Sequence, residues 1–289
     1  MKKKFTLSFL LALSSLFILN SCTKEDQEVD NETQSAVDNA VCEQQFMAIA
    51  PVVNEKGINE AGIKKIAASC GTWTILGAIG NTTITPSSND TIDSNADGFY
   101  DNGPVTFEID YGTTTGCLAF DSLSTKYGKI RITTAKRWSA YNNPVTIDLL
   151  NYKINTVNYS AQIIITRLDS VTVTTQINNG HCTNGTWNID YTGTKTIKQI
   201  AGYSTKNNEA DDVISITGSS SGKNREGRNF TTNITSALIK KSTCKWMSSG
   251  TVDVTPDGFK TRTVDFGNGS CDDDATFTVN GQTISFKLK

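Results

Sequence analysis

Catalytic chemistry has few places to start in this chain. Its 289 residues include one histidine, His181. A Ser/His/Asp or Cys/His machine would have to use it. His181 follows Asn178-Asn179-Gly180, a turn-forming string, and no G-x-S-x-G elbow accompanies it. It reads as a loop histidine without a catalytic role. There is no P-loop and no G-x-G-x-x-G behind a strand. Glycoside hydrolysis needs only two carboxylates, and 29 acidic residues are present, but spacing marks no pair. The chain is therefore read as non-enzymatic, with a glycan-directed surface hydrolase working through paired carboxylates as the alternative. One string has metal-ligand spacing. Asp93, Asn95, Asp97 and Asp101 lie at alternate or nearby positions around Gly98. Oxygen donors so spaced can curl around a hard cation such as calcium. Position twelve of such a loop is Pro104 instead of a bidentate glutamate, so a complete helix–loop–helix calcium site is excluded. A structural calcium ion is the only cofactor the residues suggest, and an Asx/Gly-rich surface turn is the simpler reading. The acids Asp272, Asp273 and Asp274 point alternately on an extended chain and read as a solvated turn.

The cysteines divide into one and six. Lys2, Lys3 and Lys4 precede a mostly apolar run from Phe5 to Leu19, which ends in Asn20-Ser21-Cys22. The run is too short to span a bilayer, which takes roughly 20 residues, and suits an export signal. Its end resembles the lipobox of bacterial lipoproteins, and the polar Asn20 resembles the variant used by Bacteroidetes-type lipoproteins. That resemblance implies cleavage after residue 21, lipidation of Cys22 and an outer-membrane location. Two or more acyl chains hold a protein stably on a membrane. Residues 22–33 are acidic and almost free of apolar side chains, as a solvated tether is. Acids directly after the lipidated cysteine resemble the surface-export signal of the same lipoproteins, which implies cell-surface exposure, with the periplasmic face of the outer membrane as the alternative. Cleavage would leave 24 basic against 29 acidic residues, a formal charge of −5. That balance argues against nucleic acid as a partner. The expected partners are the membrane, through the lipid, and an outer-membrane protein complex or a glycan.

Cys42, Cys70, Cys117, Cys182, Cys244 and Cys271 remain, an even number in an exported chain, which favours disulfides. A two-residue turn at Asp257-Gly258 would place Cys244 opposite Cys271 across a long hairpin, although Pro256 interrupts the ladder beside that turn. Cys42–Cys70 and Cys117–Cys182 are then the pairs left over, with buried thiols as the alternative for all four. No C-x-x-C spacing supports zinc.

The elements that must position these residues are nearly all strands. Residues 34–70 form the one helical segment: Ala36, Val37, Ala40, Val41, Phe46, Met47, Ile49 and Ala50 recur at helical spacing, Pro51 stops or kinks the helix, and 58–68 suggests a second short one. The segment is expected to pack on a sheet. Residues 71–289 alternate with period two between turns rich in Asn, Gly and Asp. Thirteen strands are predicted, at 72–77, 104–111, 127–138, 144–153, 158–168, 170–178, 185–199, 211–221, 228–240, 244–255, 259–267, 274–280 and 282–289. The fold class is all-β, a large antiparallel meander closed as a barrel or folded as a sandwich. Asn280-Gly281 suits a type I′ turn, which would pair Val279 with Gln282, Phe277 with Ile284 and Ala275 with Phe286. Phe277, Ile284, Phe286 and Leu288 would then face the core. Trp73, Trp138, Trp187 and Trp246 read as sheet packing more than as a glycan-stacking platform.

"DDVISITGSSSGKNREGRNFTTNIT" (211–235), "CKWMSSGTV" (244–252) and "TRTVDFGNGSCDDDATFTVNGQTISFKL" (261–288) resemble a family of hypothetical Flavobacteria-type outer-membrane lipoproteins. "VTFEIDYGTTTGC" (105–117) and "YGKIRIT" (127–133) resemble that family's earlier strand pair. The resemblance implies lipidation, an all-β fold and the Cys244–Cys271 bond, and brings no activity with it. Asp90-Thr91-Ile92, Asp121-Ser122-Leu123 and Asp169-Ser170-Val171 resemble the Bacteroidetes O-glycosylation acceptor.

Overall fold

The structure, a computed structural model, describes residues 30–47, 49, 71–76, 104–118, 124–136, 140–205 and 209–288. The export signal, Cys22, most of the tether, the second helical stretch, Cys70, Trp138 and the acid loop with Asp93, Asn95, Asp97 and Asp101 lie outside the described residues. Everything below belongs to the unit Asn31–Lys289.

Among the described residues, one α-helix and fourteen strands follow in chain order, with a short 3-10 turn at Glu209–Asp211: α1 (Gln34–Met47), β1 (Thr72–Leu76), β2 (Val105–Asp110), β3 (Cys117–Leu118), β4 (Thr125–Thr134), β5 (Pro144–Ile154), β6 (Val157–Arg167), β7 (Thr172–Thr183), β8 (Asn188–Ala201), β9 (Val213–Lys223), β10 (Asn229–Lys241), β11 (Met247–Pro256), β12 (Arg262–Asn268), β13 (Asp274–Val279) and β14 (Gln282–Lys287). All strands join one antiparallel sheet in the order of the sequence, with the short β3 beside β4 off the main path. The expected all-β antiparallel meander is present, and it is not closed as a barrel. β1 and β14 are the two ends of the path and do not pair, so the sheet is open. The meander follows from local chemistry at its tight turns: Asn155 between β5 and β6, Gly227 between β9 and β10, Gly258 between β11 and β12 and Asn280-Gly281 between β13 and β14 all take positive φ. Among the described residues, the non-glycine positions with positive φ are Asn142, Asn151, Asn155, Asn179 and Asn280, and asparagine tolerates that region better than other side chains.

Alternation sorts the side chains cleanly. Ile189, Tyr191, Lys195 and Ile197 of β8 are buried, while the intervening Asp190, Thr192 and Thr194 are exposed. Inward residues from β2 to β13, with Ala36, Ala40, Cys42 and Phe46 of α1, make one continuous cluster. Phe46 stacks on Tyr191 at 5.6 Å between ring centroids and meets Tyr159 edge-on at 6.1 Å. Gly180 permits this approach. A Cβ there would lie 2.6 Å from the Tyr191 carbonyl oxygen and 3.2 Å from the Phe46 ring.

The last hairpin has the predicted register, with Ala275 opposite Phe286, Phe277 opposite Ile284 and Val279 opposite Gln282. Its turn places Asn280 at φ 53° and Gly281 at φ 77°. Phe277 and Leu288 are buried as expected, but Ile284 is exposed and Phe286 only half-buried. β14 is the sheet's edge and has a neighbour on one side only, so its inward side chains are covered incompletely.

The Cys244–Cys271 disulfide is present. Its hairpin is one residue out of the expected register: Val254 faces Arg262 and Val252 faces Val264, and a bulge then sets Ser249 against Asn268. Both cysteines lie beyond the ladder, where loop backbone absorbs the offset. The two leftover pairs are corrected. Cys42 and Cys182 are free and buried, and Cys117 is disulfide-bonded elsewhere. α1 packs over the inner side of the sheet and brings Cys42 to Cys182, with Sγ–Sγ at 3.7 Å; that contact excludes Cys42–Cys70 and Cys117–Cys182.

Candidate functional site

Two assemblies of polar side chains stand out, one on each side of the same strands. The first lies under α1. Val37 and Val41 of the expected apolar stripe are only half-buried, whereas Asp38, Asn39 and Glu43 are buried completely. Three acids of the helix region, Glu32, Asp38 and Glu43, each meet one base from a strand or a strand turn. Glu43 Oε1 is 2.7 Å from Lys195 Nζ of β8, and both side chains have no exposed surface. Its other oxygen accepts a 2.5 Å hydrogen bond from the Tyr191 hydroxyl. Burial, with the Glu43 carboxylate beside it, pushes the Tyr191 phenol well above its ordinary pKa. Asp38 accepts from the Arg225 backbone N–H and Nε, each at 2.8 Å. The Arg225 guanidinium also lies 4.5 Å over the Trp187 ring. Glu32 pairs with Arg262 Nη1 of β12 at 3.0 Å and accepts from the Ser35 N–H at 2.8 Å, which satisfies a donor that the first helical turn cannot. Asn224 donates to the Ser35 hydroxyl at 3.0 Å.

The helix is thus seated by three acid–base pairs as well as by Phe46. Ionic contacts of this kind give position more than strength, because desolvation opposes the Coulomb gain. The missed residues carried a signal. Lys195 shares the inward parity of Ile189, Tyr191 and Ile197, and Arg262 that of Val264 and Phe266. A cation on the apolar side of a strand needs a buried anion.

The second assembly is a groove of about 710 Å³ on the other side of β8–β11, beside the β11–β12 turn. Two outward rows of the ladder line it. One row is Asp190, Lys223 and Asn229, and the next is Thr192, Ser221, Thr231 and Thr255. All seven are exposed. Asp257, Gly258 and Phe259 of the turn close one side, with Arg228 stacked 4.3 Å over the Phe259 ring. His181 corrects its loop assignment: it lies within β7, paired with Asp190 of β8, and its Nδ1 is 2.8 Å from the Asp190 carboxylate. The Asn178-Asn179-Gly180 string is a bulge in β7, not a hairpin turn.

Among the described residues no three of His, Cys, Asp and Glu gather where a metal ion would need them. Asp273 and Asp274 do form a solvated acidic turn, paired to Lys287 at 2.6 Å and 2.7 Å. Trp187 and Trp246 pack half-buried against the core. Asp169 holds the β6–β7 turn by accepting from the N–H groups of Val171 and Thr172, and those bonds lower its carboxyl pKa. No helix among the described residues is long and apolar enough to cross a membrane. No family model, curated protein or solved structure matches the chain.

Proposed function

We propose that the protein is a lipoprotein of the outer membrane, attached through Cys22 and displayed at the cell surface, whose β domain binds a glycan without cleaving it. The groove over β8–β11 supports this reading. Its two rows offer hydroxyls, an amide, a carboxylate and an ammonium on a rigid ladder, and Phe259 adds an aromatic edge. Closely spaced donors and acceptors beside an aromatic ring suit sugar hydroxyls and ring faces. The anchor rests on the sequence of residues 2–33.

The test has two parts. Cells carrying the wild type and Cys22→Ala are fractionated, and intact cells are treated with protease. Wild type is expected in the outer-membrane fraction and sensitive to protease, and Cys22→Ala in the soluble fraction. A Cys22→Ala protein that stays in the membrane removes the anchor. The purified domain is then screened against polysaccharides, with Asn229→Ala and Phe259→Ala each weakening binding about tenfold or more. Binding to no glycan, with recovery of a stable outer-membrane complex instead, shifts the role to structural. Asp190 and Asp257 line the same groove, which favours hydrolysis as the second reading. Release of reducing ends, abolished by Asp190→Asn, would establish it.

A further inference from the structure

We infer that Cys42 and Cys182 are the site of a further disulfide, one that fastens α1 to the sheet. Their sulfur atoms are 3.7 Å apart across 140 residues of sequence, and neither residue has exposed surface. A bond needs about 2.05 Å, so closure takes a movement of under about 2 Å. The flanking contacts already fix the two backbones. Glu43, the next residue along α1, is paired with Lys195. Phe46, one turn further, sits between Tyr159 and Tyr191, which are the ladder partners of Cys182 and Gly180. A zinc or other thiolate-bound metal needs a third donor group, and none gathers there among the described residues. The chain is oxidised elsewhere, at Cys244–Cys271 and at Cys117, so a thiol pair already in contact would be an exception within the same molecule.

The oxidant is a small or protein disulfide of the exporting compartment. One cysteine thiolate attacks that disulfide, forms a mixed disulfide and releases the first thiol. The other cysteine thiolate then displaces the second thiol. The two cysteines lose two electrons in all, and the oxidant leaves as two thiols carrying the two protons. Attack requires an accessible thiolate. Burial, and then the neighbouring Cys182, push the Cys42 thiol well above its ordinary pKa once α1 is seated. Oxidation therefore accompanies docking of the helix, and the finished bond is shielded from reductant. Given the proposed anchor at Cys22, the bond would also carry force from the membrane into the middle of the sheet. The disulfide needs an oxidising compartment but not the lipid at Cys22.

The test uses the full chain isolated without reductant. It is unfolded in denaturant with excess iodoacetamide and digested without reduction. The expected result is that Cys42 and Cys182 stay unlabelled and their peptides appear as one linked pair, which separates into two labelled peptides only after reduction. One carbamidomethyl group on each cysteine before reduction overturns the inference, as does Cys42 or Cys182 linked to any other cysteine. A second measurement uses Cys42→Ala, Cys182→Ala and the double variant. Each single change removes the same bond, so each should lower Tm by about 10 °C and the double variant hardly further. Losses that add in the double variant are the signature of two separately packed thiols and would overturn it as well.

Discussion

Lys195 and Lys287 are both strand lysines with a carboxylate within 2.7 Å, yet they belong to different kinds of surface. Lys195 and its partner Glu43 have no solvent exposure. Lys287 is 59 % exposed and shares two acids, Asp273 and Asp274. The inner side of the sheet uses charge to seat a helix, at a desolvation cost that only a matched partner offsets. The outer side uses charge for solvation, where water screens each pair and little stability is at stake. The same chemical pair therefore means position on one side and solubility on the other. The groove belongs to the second kind of surface, with polar groups free to exchange water for a ligand.

The contrast can be broken most sharply at Lys195. Lys195→Met leaves the Glu43 carboxylate buried without its cation and should cost about 3–5 kcal/mol, seen as a Tm loss of about 10 °C. Adding Glu43→Gln should recover part of that loss. A single variant as stable as wild type would show that Glu43 is not held as a buried charge. Next is the covalent tie beyond the β11–β12 ladder. Cys244→Ala with Cys271→Ala opens a loop of 27 residues' separation and should cost about 3 kcal/mol by denaturant titration. No loss there would mean that the ladder alone fixes the hairpin.

Glu108 of β2 is buried although it faces outward, and is 2.6 Å from Arg131 and 3.3 Å from Lys129. Burial alone would raise its pKa, but hydrogen bonds and charge from Arg131 and Lys129 outweigh burial and hold it below the ordinary 4.5. A carboxyl depressed by folding contributes stability above its unfolded pKa and loses it as pH falls through the folded value. Tm measured from pH 7 down to about pH 3 should therefore decline less steeply in Glu108→Gln than in wild type. Parallel curves would remove Glu108 from the acid response. The smallest effect is expected at Lys287. Lys287→Ala should leave Tm within about 1 °C of wild type, and a larger, salt-independent loss would mean that the edge hairpin depends on this pair.

Legibility in the sequence followed how local each cause is. All thirteen predicted strands exist, because period-two alternation and Asn/Gly turns act within a few residues. The missed strand, Cys117–Leu118, has two residues and no alternation to read. Arg262 and Lys195 show the limit at the site. Their parity marks them as inward cations, but their partners Glu32 and Glu43 lie 230 and 152 positions earlier in the chain, beyond the reach of any spacing rule. The groove was hidden for a similar reason: Asp190, Ser221, Thr231 and Asp257 come from three strands and a turn, and only the ladder sets them side by side.

What the sequence determined by itself was the meander, the alternation of faces, the Asn280-Gly281 turn and the Cys244–Cys271 bond, for which the hairpin brings both ends together. Tertiary structure decided that the sheet stays open, that α1 lies against its inner side through Glu32, Asp38 and Glu43, and that Cys42 meets Cys182 and not Cys70. Hairpin chemistry fixes each strand relative to the next. Where a helix settles on the finished sheet depends on buried charges finding partners across the whole chain, and that exists only once the sheet has formed.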